Sequence, residues 1–148
     1  MTAPDSDIPW QPVGQHRMRA VHDTVEISIV GSMSLAEFEQ FEQLQLQLDR
    51  TFQYSLVLAD CSQAGDLSPQ ARRHIAEQAR LHPDRKQFSA MYGCRPVTIV
   101  VVTLLSRAVL LFSGKKHPVE LCRDEASARE ILAASRRTFQ AALAETPR

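Results

Sequence analysis

Apolar positions along this chain follow two alternating periods. His16–Val21 and Thr24–Val30 flank His22-Asp23, and V-E-I-S-I-V sets Val25, Ile27 and Ile29 on one face with Glu26 and Ser28 on the other. A period of two marks strands, and a two-residue connection between two such runs predicts a β-hairpin. Downstream, Leu35, Phe38, Phe41, Leu44, Leu48 and Phe52 recur every three or four residues, which is one face of a helix. Ser34-Leu35-Ala36-Glu37 precedes it as a capping box, with Met33 and Phe38 spaced as a hydrophobic staple. The local Q-L-Q-L-Q-L alternation reads as a strand on its own, but the cap and the longer stripe outweigh it.

Tyr54 to Asp60 is apolar without alternation, as in a central strand. A polar turn follows. Ser68-Pro69 then starts a helix, with an N-cap hydroxyl and proline at the first helical position, and the helix runs to about Leu81, before Pro83. Phe88–Tyr92 is a short strand ended by Gly93. From Val97 to Phe112 propensity and pattern disagree. V-T-I-V-V-V-T is β-branched and favours a strand, whereas the length and the glycine at its end favour a helix. The sequence predicts a helix, with a strand to Thr103 and a short helix as the alternative. Val119–Cys122 is a last strand, and Asp124 caps a final helix with Ala128, Ile131, Leu132 and Phe139 as its inner face.

The order β-β-α-β-α-β-α-β-α predicts a single α/β domain: a mostly parallel mixed sheet of about five strands, four helices and an N-terminal antiparallel hairpin. Residues 1–14, rich in proline, read as a flexible arm, residues 15–143 as the domain and residues 144–148 as a tail. Trp10 in the arm either folds back onto the body or meets a partner.

Composition narrows the function classes. Lys+Arg and Asp+Glu are both 17, so there is no basic excess for a nucleic-acid partner, and no long-range repulsion opposes self-association. The amino terminus lacks the apolar run of a signal peptide, and Cys61, Cys94 and Cys122 form no C-x-x-C pair, which points to reduced thiols in the cytoplasm. Val97–Phe112 is shorter than the roughly 20 apolar residues of a spanning helix and contains Arg107, so a buried soluble element without membrane insertion is expected. Its apolar residues lie all round the helix, beyond what one sheet face covers. A homo-oligomer follows as an expectation, with Val101, Leu105 and Val109 as candidate contacts.

Motifs for catalysis and cofactors are missing. The five histidines show no i, i+4 pair, the cysteines are dispersed, and neither G-x-G-x-x-G nor a P-loop occurs. No enzyme, metal or cofactor is expected. Asp60, Ser62, Asp66, Ser68 and Arg72 gather around the turn after the central strand, where open α/β sheets carry their sites. They read either as a docking or ligand site at a helix N-terminus or as turn residues that satisfy backbone donors.

The element order, with D-C-S-Q-A-G-D-L-S-P after the central strand and the closing S-G-K-K-H-P-V-E-L-C-R-D-E-A-S-A-R-E-I-L, resembles the STAS superfamily, in its SpoIIAA-like (anti-sigma-factor antagonist-like) branch, over about Val25 to Leu132. The resemblance implies a non-catalytic regulatory module whose protein partner is an anti-sigma-type kinase docking at the helix after the central strand. It also implies a phosphoacceptor serine after Asp66. That position is Leu67 here, and Ser68 is one place late, so the scaffold is expected without the standard phospho-switch. The fold resembles the CRAL-TRIO lipid carriers too, which implies, as an alternative, a carrier or sensor of a small apolar ligand.

Overall fold

The computed structural model describes residues 7–145. Six strands among them form one sheet in chain order: β1 (Ile8–Val13), β2 (His16–Val21), β3 (Thr24–Met33), β4 (Ser55–Leu67), β5 (Gln87–Tyr92) and β6 (Val119–Cys122). β1, β2 and β3 pair antiparallel, and β3 to β6 run parallel. The helices are α1 (Leu35–Phe52), α2 (Pro69–Leu81), α3 (Pro96–Ser113) and α4 (Glu125–Glu145). Each parallel crossover advances one strand in the same direction. With the usual right-handed connection, such crossovers place their helices on one face. α1, α2 and α3 share that face, and α4 covers the other.

Local signals account for most element ends. Ser34 Oγ accepts from Glu37 N–H at 3.2 Å and Glu37 Oε1 accepts from Ser34 N–H at 2.9 Å, so the capping box is complete. Ser68 caps α2 through Ala71 N–H at 3.1 Å, and Gly114 ends α3 in the left-handed region. Val97–Phe112 is therefore helical. Pro96 at its first turn, Gly114 at its end and the burial of Thr98, Leu105 and Val109 override its β-branched propensity.

Two boundary expectations are corrected. The flexible arm over residues 1–14 gives way at Ile8–Val13, which adds a sixth strand at the edge of the sheet. Its Trp10 ring lies under the guanidiniums of Arg17 and Arg19, at 4.9 and 4.7 Å, so cation–π contacts and backbone pairing anchor a segment that reads as a tail. Residues 1–6 of that arm lie outside the described residues. At the other end α4 includes Ala144 and Glu145, which the sequence assigned to a tail, and residues 146–148 lie outside. The polar face of β3 is covered as well, because α4 packs on that side and buries Glu26. Its carboxylate bonds Arg19 Nε at 3.0 Å and Arg129 Nη2 at 2.9 Å.

Two apolar clusters hold the layers. Val25, Ile27, Val57, Ala59 and Cys61 pack under Phe41, Leu44 and Leu48 of α1, while Leu56, Leu58 and Ala90 pack under Ala128 and Leu132 of α4. A buried polar knot also pins α4. Asp23, fully buried at the β2–β3 turn, accepts from Arg136 Nε at 2.7 Å, Arg136 Nη2 at 2.8 Å, Tyr54 Oη at 2.6 Å and Thr24 Oγ1 at 2.9 Å. Burial alone raises the Asp23 pKa, but these donors outweigh it and hold the carboxyl below its ordinary value. Burial, with Asp23 beside it, pushes Tyr54 up to about 12.

Candidate functional site

The polar turn expected after Asp60 is instead a continuation of β4. Both β3 and β4 run past the end of β5, and the backbone of residues 61–67 is met by β3, with Val30 opposite Gln63, Gly31 opposite Ala64 and Met33 opposite Leu67. Two register shifts give β4 one extra residue each. At the second, a Cβ on Gly65 would lie 2.9 Å from the Gly31 carbonyl carbon, so the strands approach as closely as only glycine allows.

This extension separates the candidate residues. Asp60 Oδ1 accepts from Ser62 N–H at 3.0 Å and from Ser62 Oγ at 2.8 Å, at the start of the overhang. Asp66 Oδ1 accepts from Leu67 N–H at 2.8 Å at its far end, where Ser68 caps α2. Arg72 lies a turn into α2, beside Leu104 and Phe112 of α3. The six residues form two local backbone-satisfying turns and a helix-face cation, not one cluster. Leu67 is half-buried against the core, which gives an apolar residue at that position a packing role.

A cavity lies deeper, under α1, α2 and α3. Its volume is about 210 Å³. The sheet contributes Ile27, Val57, Ala59, Cys61 and Met91, and the helices contribute Phe38, Phe41, Ile75, Val101, Val102 and Leu105. The sequence explains the space. Ala59, Ala64 and Gly65 on β4 and Ala79 on α2 face it with little or no side chain, and α3 brings short β-branched residues over them. Native cores keep few voids larger than a water molecule.

Polar groups mark the two ends of this space. Thr98 is buried, lines the cavity, and its Oγ1 has no hydrogen-bond partner among the described residues. Asp66 lies at that end too, before the first turn of α2. Gln78 in the last turn of α2, and His82, Arg85 and Gln87 beyond it, lie toward the other end, about 20 Å away by the length of that helix. His82 and Asp66 are exposed, so both ends reach the surface.

The self-association contacts expected from sequence require correction. Leu105 and Val109 are buried and Val101 is half-buried over the cavity, because α3 turns this stripe toward the sheet. The outward apolar side chains are Val97, Ile99, Val100, Leu104, Leu110, Leu111 and Phe112, with Leu111 80% exposed. α3 is thus apolar on both sides, and among the described residues it is the one helix long and apolar enough, by length and composition, to cross a membrane.

Two further pairs escape a reading by sequence spacing. Cys61, after Asp60 on β4, and Cys94, after β5, bring their thiols together across the sheet. The Cys61 thiol also faces the Ala59 carbonyl at 3.9 Å, and the proximity of the two sulfurs, with burial, raises Cys61 while it lowers Cys94. Ser106 Oγ lies 3.0 Å from Nδ1 of His117, whose pKa burial pushes down to about 4. Ser106 sits inside an unbroken helix, whose backbone N–H groups are already bonded, so the pair lacks the free donors that stabilise an oxyanion. The strand register and the α3–β6 connection create both pairs, which no spacing rule signals. Among the described residues no group of three His, Cys, Asp or Glu side chains is gathered as a metal site.

No protein-family model matches the sequence, and no curated protein matches it. The architecture is that of the SpoIIAA-like fold, an α/β sheet with helices on both faces. The likeness is to the crystal structure of an uncharacterized protein from the DUF3478 family, with a SpoIIAA-like fold, from Shewanella loihica PV-4. The TM-score is 0.52 at 15% identity, covering 84% of this chain and 91% of that one.

Proposed function

We propose that this chain is a non-catalytic binding module that holds a small apolar molecule between its sheet and α1–α3. The 210 Å³ cavity carries this reading. Enclosed apolar cavities of about 150 Å³ take up benzene or xenon, and this space is larger, lined mainly by apolar side chains and open at its ends. The unpartnered Thr98 Oγ1 on its wall adds a polar group awaiting a ligand atom. A titration of the full chain with Nile red, displaced by decanol, tests the reading. Saturable one-to-one binding is expected, and it is abolished in Ala59→Leu and Ala79→Leu, which fill the space from the sheet and from α2. Failure of the wild-type chain to bind either compound, or undiminished binding by both variants while folded, overturns it.

The exposed outer face of α3 favours a second reading, a regulatory module that contacts other protein. A second copy is the partner that zero net charge and an apolar helix face fit best. Sedimentation velocity checks it: a dimer is expected that Leu104→Asp and Leu111→Asp return to monomer, whereas Leu105→Asp unfolds the chain. A wild-type monomer at all concentrations refutes self-association.

A further inference from the structure

The cavity has a chemically distinct end, and it selects the kind of ligand. Lys115 Nζ bonds Asp84 Oδ1 at 2.6 Å, and Ser89 N–H donates to Pro118 O at 2.9 Å. These contacts lay the segment from Asp84 to Ser89 beside the segment from Lys115 to Pro118. Arg85 and Gln87 therefore share this end of the cavity with His117, and Arg85 N–H donates to the His82 carbonyl at 3.3 Å, which adds His82.

The side chains here are donors. Arg85 is half-buried, and among the described residues its guanidinium has neither an ion pair nor a hydrogen bond. Gln87 Oε1 already accepts from Gln45 Nε2 at 2.9 Å, which leaves the Gln87 amide N–H groups. Ser106 takes up Nδ1 of His117. With the hydroxyl donating, the ring proton sits on Nε2, which has no acceptor among the described residues.

The nearby acids are already engaged. Glu42, on the cavity wall, bonds His74 Nε2 at 2.9 Å, and Asp84 is held by Lys115. The α2 carbonyl end carries partial negative charge, but Arg85 makes no side-chain bond to it. A half-buried guanidinium with no ion pair among the described residues, at a cavity end lined also by Gln87, His82 and His117, is complementary to an anion.

We infer that the ligand is an anionic amphiphile: its apolar tail fills the cavity under α3, and its carboxylate or phosphate head pairs with Arg85, assisted by Gln87, His82 and His117. Asp66 at the opposite end excludes the reverse orientation by like-charge repulsion. This inference rests on the cavity reading and adds the charge and the direction of the ligand.

Isothermal titration of the full chain below the micellar range decides it, with decanoate, decyl phosphate and uncharged decanol as probes. A hydrogen-bonded ion pair at a desolvated mouth is expected to make at least one anion about tenfold or more tighter than decanol. Which anion is tighter identifies the head as carboxylate or phosphate. Arg85→Gln weakens the anions more than decanol and so removes that preference, and Arg85→Lys restores part of it. Equal affinities for decanol and both anions, or a preference untouched by Arg85→Gln, overturn the head-group assignment and leave the cavity reading standing. No binding by any of the three overturns both.

Discussion

Replacing Arg136 by alanine isolates the contact that pins α4 to the sheet. Asp23 is fully buried, and Arg136 supplies two of its four short donors, at 2.7 and 2.8 Å. Removing one partner of a buried ion pair costs about 3–5 kcal/mol, because the other charge stays behind. Here Tyr54 and Thr24 still donate to the carboxylate, and the Arg136 side chain is about a third exposed, which screens the pair. The expected loss at pH 7 is therefore about 2–3 kcal/mol. Urea denaturation followed by circular dichroism reads it, with Asp23→Asn and the double variant closing a cycle. The pH dependence has a definite sign. The folded Asp23 pKa lies below the unfolded one, so its contribution is full above the unfolded value and is lost as pH falls through the folded one. The gap between wild type and Arg136→Ala is thus expected to narrow below about pH 4. A loss under about 0.5 kcal/mol at pH 7, the range of ordinary surface changes, or a gap unchanged at pH 3, would refute the reasoning.

Other perturbations follow from the same geometry. Ser34→Ala removes the hydroxyl arm of the capping box and leaves the backbone N–H that Glu37 accepts from, and is expected to cost about 0.5–2 kcal/mol, while Ser34→Gly costs a few tenths; equal urea midpoints for wild type and Ser34→Ala refute the cap. Gly14→Ala puts a Cβ 1.8 Å from Glu37 Oε2 at a φ of +60°, so it displaces the capping glutamate and is expected to destabilise by about 1–3 kcal/mol in the same assay. Iodoacetamide at pH 7.5, read by peptide mass spectrometry, is expected to modify Cys94 well before buried Cys61; simultaneous labelling of the native chain contradicts the pairing of their thiols.

The sequence carried the frame of this fold through short-range signals. Ser34 with Glu37, Ser68 with Pro69, and Gly114 each fix a helix end by chemistry within a few residues, so these boundaries were legible. The length of β4 was not. C-S-Q-A-G-D-L is polar and glycine-bearing, as turns are, and becomes strand because β3 extends beside it, a partner 33 positions away at Val30 and Gln63. That misreading placed Asp60, Ser62, Asp66, Ser68 and Arg72 in one turn, whereas the bulged extension spreads them out. Ile8–Val13 was hidden for a related reason, because edge strands tolerate the prolines that mark tails. The all-apolar character of Val97–Phe112 showed that two faces need cover, but it could not say which stripe turns inward. The cavity depends on small residues from β4 and α2 meeting under α3, and such a coincidence of alanines and a glycine has no periodic signature.

A crystal of the full chain under xenon pressure tests the apolar cavity most directly. Xenon density is expected among Val57, Met91, Val101 and Leu105, in the space between α3 and the sheet. A structure in which α3 has settled onto Ala59 and Ala64, leaving no space and no xenon beneath it, would contradict the account.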